Sequence, residues 1–156
     1  MVDKILIDTN VLLDYLQERE PFFADAKNVI LSCTEGKTKG CIAAHSISNM
    51  FFILRKDYTV EERRKILLNL CTIFDVEGID KAKLLSGLAN EKFSDFEDCL
   101  QMECAKNYGA EYIVTRNISD YSNSTKTNAF CLGIILCNVS RSFDYLIYPY
   151  YPAYTS

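Results

Sequence analysis

Short apolar runs alternate along this chain with segments whose apolar residues recur at helical spacing. The first run, Ile5 to Ile7, is continuous, which is typical of a strand buried on both faces of a parallel sheet. Apolar residues at 11–16 then resume at helical spacing, and further strands are predicted at 39–44, 74–79 and 112–115. Strands that alternate with helices predict a three-layer α/β/α fold with a mostly parallel central sheet.

Residue signals at the ends of the helical segments locate their boundaries. An apolar stripe predicts a further helix over 45–56. The expected signals are Pro21 at a first helical position, Gly36 and Gly109 at helix ends, Asp80 as an N-cap, and capping boxes at 59–62 and 94–97, the second opening on Ser94. No internal repeat or linker interrupts the series, so the pattern predicts a single domain.

Length, net charge and cysteine content exclude several kinds of site and partner. The chain has 156 residues and a net charge of −4, so any contact with nucleic acid must be local. Basic residues gather at 55–56 and 63–65, where a solvated helix face is the simpler interpretation. Seven scattered cysteines and a single histidine argue against a zinc site and are typical of reduced thiols in a cytoplasmic protein. We recognise no signal peptide and no run long enough to span a bilayer, so no membrane partner is expected.

Carboxylates fall where the predicted topology gathers functional groups. Asp8 ends the first strand, Asp95 and Asp98 share one face of a helix's first turn, and Asp120 follows the strand at 112–115. If the sheet is parallel, these places can face one crevice at the carboxyl ends of the strands. Each acid also has a structural interpretation: Asp8 as an N-cap, Asp95 as a charge that complements a helix dipole, and Asp120 in a turn.

These acids suit a hard divalent cation. Clustered carboxylates repel one another unless a cation lies between them. Mg²⁺ or Mn²⁺ takes oxygen ligands and needs neither histidine nor cysteine. Such an ion, alone or as a pair, can activate water and stabilise the attacking and leaving oxygens of a phosphodiester.

Three motifs carry a resemblance to a known family. They are ILIDTNVLLD at 5–14, SDFEDCLQ at 94–101 and IVTRNISD at 113–120. Together, in this order and spacing, they resemble the PIN domain, and in particular its VapC-like branch of bacterial toxins, over about residues 1–122. The resemblance implies a PIN-like fold, a metal-dependent ribonuclease that cuts RNA, and a small antitoxin protein as partner.

The resemblance also assigns roles to individual residues. Asp8, Asp98 and Asp120 match the family's metal-binding acids. Asp95 matches an acid that recurs just before the third motif in this branch, and it is expected to be a further ligand or a water-orienting group. Thr115 and Asn117 stand where the family often has polar residues that support the last acid. The residues expected to contact RNA are Thr9, Asn10, Thr115, Arg116 and Asn117, with Arg116 or a basic cluster on the backbone.

One position departs from the family's pattern. The family normally carries a second acid, often Glu, on the helix after the second strand, and Asn49 stands there. An amide oxygen can bind a metal or orient a water but brings no charge, so Asn49 is expected to act as a neutral member of the catalytic set. Some members of the branch carry Asn at this position. Glu97 and Asp95 are the alternative sources of the missing charge.

The end of the chain departs from the family as well. Residues 124–156 contain only three charged residues and five of the ten tyrosines. We expect a last strand within 129–137, a PIN-like nuclease domain at 1–138 and an atypical Tyr/Pro-rich tail at 139–156. The loss of charge is consistent with a shifted reading frame, whereas the tyrosines are consistent with a partner contact or a homodimer.

Three interpretations of function follow. The first is a Mg²⁺- or Mn²⁺-dependent endoribonuclease, the toxin of a toxin-antitoxin pair. The second, motivated by Asn49 and the acidic net charge, is a catalytically weakened PIN-like module that binds RNA or a protein partner without cleaving. The third is a phosphatase with Asp8 as nucleophile, which is weaker because such enzymes commonly place a second Asp two residues later, where this chain has Asn10.

Overall fold

A five-stranded, all-parallel sheet forms the centre of the molecule. The computed structural model describes residues 2–93, 95–117 and 121, together with the backbone of 133–136. The strand order is β3-β2-β1-β4-β5. The strands are β1 (Asp3–Ile7), β2 (Thr38–Ala43), β3 (Asp75–Glu77), β4 (Tyr112–Thr115) and β5 (Gly133–Leu136). The predicted parallel α/β architecture is confirmed.

Helices connect the strands and cover both faces of the sheet. They are α1 (Thr9–Leu16), α2 (Phe23–Thr34), α3 (Ala44–Ile53), α4 (Val60–Ile73), α5 (Lys81–Ala89) and α6 (Phe96–Tyr108), with one 3-10 turn, Leu54–Lys56, after α3. Ile5 and Ile7 pack in one core cluster with residues of α1 to α4, whereas Leu6 packs in the other with residues of α6. The alternation of neighbours along β1 explains why its apolar run is continuous, and it gives the three predicted layers.

Local end signals place most helices, with two exceptions. The capping box is present at α4, where the Thr59 N–H donates to Glu62 at 2.8 Å. The prediction that Pro21 opens a helix is wrong: the backbone N–H groups of Phe22 and Phe23 donate to Arg19 O in a turn, and α2 begins at Phe23. The N-cap of α6 is Asp95 rather than Ser94, because the Asp95 carboxylate accepts from two backbone N–H groups of the first turn.

The third and fifth strands lie at the two edges of the sheet. β3 is shorter than predicted, at 75–77, and its register pairs Ala43 with Glu77. β5 falls within the strand predicted at 129–137 and pairs with β4 in parallel, with Thr115 opposite Leu136. The tail predicted at 139–156 lies outside the described residues. None of the helices in the described part of the chain has the length and apolar character needed to cross a membrane.

Gly109 ends α6 in a left-handed conformation, with φ at 73°. A Cβ there meets no atom within 4 Å, so Gly109→Ala adds backbone strain without a clash. We expect a loss of about 1 kcal/mol in the free energy of unfolding. Urea denaturation tests this against Gly78→Ala, because Gly78 has equal space and no positive φ. Equal losses in the two variants would contradict the assignment.

Candidate functional site

Asp8 lies between β1 and α1, at the carboxyl end of the central strand. Its backbone N–H donates to Val114 O at 3.0 Å, which ties the start of α1 to β4. Its Oδ1 accepts from the backbone N–H of Asn10 at 3.2 Å, so Asp8 does cap α1. A carboxylate has about four acceptor positions, so the cap leaves the group able to make further contacts.

Two side chains from other elements orient the Asp8 carboxylate. Thr115, at the end of β4, donates its hydroxyl to Oδ2 at 2.7 Å, and Gln101 of α6 donates its amide to Oδ1 at 3.2 Å. Asp8 is only 2% exposed, and none of the ion pairs among the described residues involves it. A buried carboxylate held only by neutral donors is costly, so the arrangement favours a cation beside it.

The first turn of α6 carries the second acidic group. Asp98 is half-buried and accepts a hydrogen bond from the Tyr121 hydroxyl at 3.3 Å. Asp98 lies one helical turn before Gln101, so the two side chains share a face of α6. Gln101 is the residue of this face that donates to Asp8. The carboxylate of Asp95 accepts from the N–H groups of Glu97 and Asp98 at 2.8 and 3.4 Å, and it therefore caps the helix.

A polar cluster joins α1, α3 and α6 beside Asp8. The Thr9 hydroxyl lies 2.7 Å from Ser46 Oγ and 3.4 Å from Glu97 Oε1. His45 Nε2 lies 3.8 Å from the same Glu97 oxygen. Burial lowers the pKa of His45, although the nearby Glu97 and Asp8 carboxylates raise it in part, so the imidazole is mainly neutral at pH 7. The cluster brings a third carboxylate to the Asp8 side of α6.

Arg116, expected to contact RNA, is held by an acid and a ring. Its Nε lies 3.5 Å from Asp14 Oδ2, and its guanidinium lies 4.5 Å from the centre of the Phe22 ring. Asp14 is 1% exposed and pairs also with Arg19 at 3.7 Å. Burial raises the pKa of Asp14, and the two arginines oppose that rise. The pair fixes Arg116 immediately after β4, at the carboxyl edge of the sheet.

The other residues predicted for the site occupy separate places. Asn49 lies half-buried on α3, one turn after Ser46, and no described contact joins it to Asp8 or Asp98. The Thr9 hydroxyl is buried in the polar cluster, and Asn10 and Asn117 contribute backbone N–H groups to the hydrogen bonds around Asp8 and Thr115. Asp120 lies outside the described residues. Within the described part of the chain, no three His, Cys, Asp or Glu side chains form a group able to hold a metal ion by themselves.

The donor chemistry at this edge fits a magnesium- or manganese-like ion. Asp8 and Asp98 supply carboxylate oxygens, which such ions prefer. Gln101 is 1% exposed, and its Oε1 has no hydrogen-bond partner among the described atoms. A buried acceptor without a donor beside a buried carboxylate is expected where a hydrated cation binds, because Mg²⁺ keeps several waters and needs only one or two carboxylates.

The sequence did not indicate three residues that build the site: Gln101, Ser46 and His45. Glu97 was predicted only as an alternative source of the charge that Asn49 lacks. Gln101 had one available signal, its spacing of three from Asp98 on the same helical face. Ser46 and His45 had no such signal in the sequence, because each contacts a site residue that is 37 or more positions away.

Thr115→Val is expected to destabilise the protein through Asp8. Valine keeps the shape of threonine but removes the hydroxyl that donates to Asp8 Oδ2, on a residue that is 0% exposed. We expect a loss of about 1.5–3 kcal/mol in the free energy of unfolding, the usual range for a hydrogen bond to a charged group. The matched control is Thr72→Val, since Thr72 is exposed and its described hydrogen bond stays within its own helix, to Leu68 O. A control as damaging as Thr115→Val would rule out the Asp8 contact as the cause.

The sequence matches a known protein family. A family model described as the PIN domain matches residues 4–119. No curated protein is significantly similar in sequence to this chain. The matched region covers Asp8, Asn49, Asp95 and Asp98.

Solved structures of bacterial toxins share the fold. A toxin-antitoxin complex from Klebsiella pneumoniae is 21% identical with a TM-score of 0.59, over 76% of this chain and 90% of that one. VapBC2 from Rickettsia felis, bound to a DNA fragment from its promoter, is 12% identical with a TM-score of 0.58, over 84% of this chain and 98% of that one. VapC20 from Mycobacterium tuberculosis, described as a Sarcin-Ricin loop cleaving toxin, is 14% identical with a TM-score of 0.59, over 80% of this chain and 96% of that one. At these identities the likeness shows the fold.

Proposed function

The chain belongs to the PIN domain family, and from this premise we propose that it is a metal-dependent endoribonuclease, the toxin of a toxin-antitoxin pair. The family match covers residues 4–119, which include every described residue of the candidate site except Tyr121. The observation that carries the proposal is the Asp8 carboxylate, which is buried at the carboxyl end of the central strand and held only by neutral donors among the described residues.

The residues of the site have separate roles in this proposal. Asp8, Asp98 and Asp120 hold Mg²⁺ or Mn²⁺, and Asp95 keeps the first turn of α6 in place. When bound, the cation activates water and stabilises negative charge on the phosphodiester. Thr115 and Gln101 fix the orientation of Asp8, and this orientation is formed before substrate arrives because both contacts are internal to the fold.

RNA is the proposed substrate, and Arg116 is the proposed phosphate contact. Arg116 directly follows β4, and the Asp14 carboxylate and Phe22 ring limit its motion. A guanidinium held in this way presents N–H donors to a phosphate oxygen. These donors lie at the carboxyl edge of the sheet, where Asp8 also lies. Thr9 is buried, so we assign it to the internal polar cluster rather than to direct RNA contact.

A small antitoxin protein is the proposed regulator. The similar solved structures include a toxin-antitoxin complex from Klebsiella pneumoniae. Because the proposed site is formed without substrate, its activity is controlled by a partner that covers the site or prevents RNA from binding. A homodimer is a further proposal, and size-exclusion chromatography of the full chain tests it.

The proposed activity is tested with the purified full chain and a mixed-sequence RNA. We expect cleavage in the presence of Mn²⁺ or Mg²⁺ and none after addition of EDTA, with activity restored by excess metal. Cleavage that continues unchanged in EDTA would contradict a metal-dependent mechanism. A protein that is folded by circular dichroism, binds no Mn²⁺ by calorimetry and cuts no RNA would also contradict the proposal.

Asn49 favours one alternative, a PIN-like module that binds RNA or a protein without cleaving. Its amide stands on α3 where an acid was expected, and an amide adds no charge to the site. Such a module would bind RNA in EDTA as tightly as in Mn²⁺. Electrophoretic mobility measurements in the two conditions therefore separate it from the nuclease.

A further inference from the structure

Glu97, in the first turn of α6, contacts residues of both α1 and α3. Its Oε1 lies 3.4 Å from the Thr9 hydroxyl and 3.8 Å from His45 Nε2. Thr9 is the residue directly after Asp8, and His45 lies in the first turn of α3. Glu97 therefore connects the first turn of α6 to both elements that flank Asp8 on this side.

Two buried hydroxyls lie beside the Glu97 carboxylate. The Thr9 hydroxyl donates to Ser46 Oγ at 2.7 Å and also lies 3.4 Å from Glu97 Oε1. A hydroxyl has one hydrogen, so Ser46 and Glu97 share it as acceptors, and the shorter contact is the one to Ser46. Ser46 is 0% exposed and Thr9 is 5% exposed, so both hydroxyls are shielded from bulk water. The Glu97 side chain is 39% exposed, so its carboxylate borders these hydroxyls and stays open to solvent.

None of the ion pairs among the described residues joins Glu97 to a lysine or an arginine. The basic side chain beside Glu97 is His45, whose Nε2 lies 3.8 Å from Glu97 Oε1. The Asp8 carboxylate acts on the same imidazole as Glu97, and Asp98 is the next residue of α6. Beside Asp8, the buried Oε1 of Gln101 has no hydrogen-bond partner among the described atoms. Carboxylates that are brought together without a resident cation repel one another, and a bound divalent ion relieves that repulsion.

We propose that Glu97 supplies the acid that α3 lacks: it is an outer acidic residue of the divalent-metal site, contributed by α6 in place of Asn49. The inference rests on the metal-dependent activity proposed above. The described carboxylates do not form a three-ligand group by themselves, so Glu97 acts on the water shell of the ion and through its charge. Asn49 lies one turn after Ser46, on the side of α3 that Glu97 approaches through Thr9.

The test compares Glu97→Gln with the wild type by calorimetric titration of Mn²⁺ into the full chain. Glutamine keeps the size of the side chain and still accepts from Thr9, so the melting temperature in EDTA is expected to stay unchanged or to rise. We expect the dissociation constant for Mn²⁺ to increase by about 10-fold or more, the usual effect of losing an outer contact of a metal site. Glu103→Gln is the matched control, because Glu103 lies on the same helix and pairs with Lys106. We expect its Mn²⁺ affinity to equal that of the wild type.

A double variant separates the charge of Glu97 from its packing. We expect Asn49→Glu to restore most of the Mn²⁺ affinity when it is combined with Glu97→Gln, because it returns a carboxylate from the other side of the cluster. A double variant that binds as weakly as Glu97→Gln would overturn the claim that Glu97 replaces an acid of α3.

The remaining outcomes distinguish this inference from the proposed nuclease. Suppose that the wild type binds Mn²⁺ and cleaves RNA, and that the dissociation constant and cleavage rate of Glu97→Gln lie within twofold of the wild-type values. The proposed role of Glu97 is then overturned, and the nuclease proposal stands. If the wild type binds no Mn²⁺, both proposals fall.

Discussion

Asp8→Asn is expected to reduce metal-dependent RNA cleavage by about 10²-fold or more while the protein remains folded. The substitution removes the one charge that is buried at the end of β1 and leaves its shape intact. We measure cleavage of a mixed-sequence RNA in saturating Mn²⁺. Asp3→Asn is the control, because Asp3 is exposed at the other end of the same strand.

The fold is expected to tolerate asparagine at this position. The amide oxygen of asparagine can take the place of Oδ1 and accept from Gln101 and from the Asn10 N–H, which keeps the cap of α1. The amide nitrogen then faces Thr115, whose hydroxyl oxygen can accept from it. A folded Asp8→Asn variant that cleaves at the wild-type rate would remove Asp8 from the mechanism.

Leu6→Ala is expected to be the most destabilising of the stability variants considered. Leu6 is 0% exposed at the centre of β1, and its side chain packs in the cluster between the sheet and α6. Truncation of a buried leucine leaves a cavity, and we expect a loss of about 2–5 kcal/mol in the free energy of unfolding. Urea denaturation measures this loss.

Leu68→Ala is the control for Leu6→Ala. Leu68 lies on α4 and is 67% exposed, so its truncation removes little buried surface. We expect a change within about 0.5 kcal/mol. A small loss at Leu6, similar to that at Leu68, would contradict the placement of β1 at the centre of the sheet.

The central strands could be predicted because a buried strand appears in the sequence as a short, continuous run of apolar residues. Ile5 to Ile7 face both core clusters in turn, so every residue of the run must be apolar. β3 was predicted too long because an edge strand is only partly covered: Val76 is 42% exposed, and the apolar signal there does not define the ends. The start of α2 was misplaced because the turn at Arg19 is set by backbone hydrogen bonds that Pro21 does not reveal.

The candidate site was predictable only in part. Asp8 and Asp98 stand out in sequence because each follows or opens a recognisable element. Gln101 could not be assigned to Asp8, since the two residues are 93 positions apart and meet only when α6 packs beside β1. The link from Glu97 to Thr9 likewise spans 88 positions. Contacts of this kind depend on the packing of layers, which apolar periodicity predicts without giving the register of individual side chains.

Cleavage by Asp98→Asn tests the central claim most directly. Asp98 shares a face of α6 with Gln101, and its substitution removes an acid from the site without changing Asp8 or the Asp95 cap. The control is Glu103→Gln on the same helix, outside the site. We predict that in Mn²⁺ the control cleaves RNA like the wild type and that Asp98→Asn, folded and at equal concentration, cleaves none above the EDTA background. Equal cleavage by the two variants would contradict a metal-dependent nuclease centred on Asp8 and Asp98.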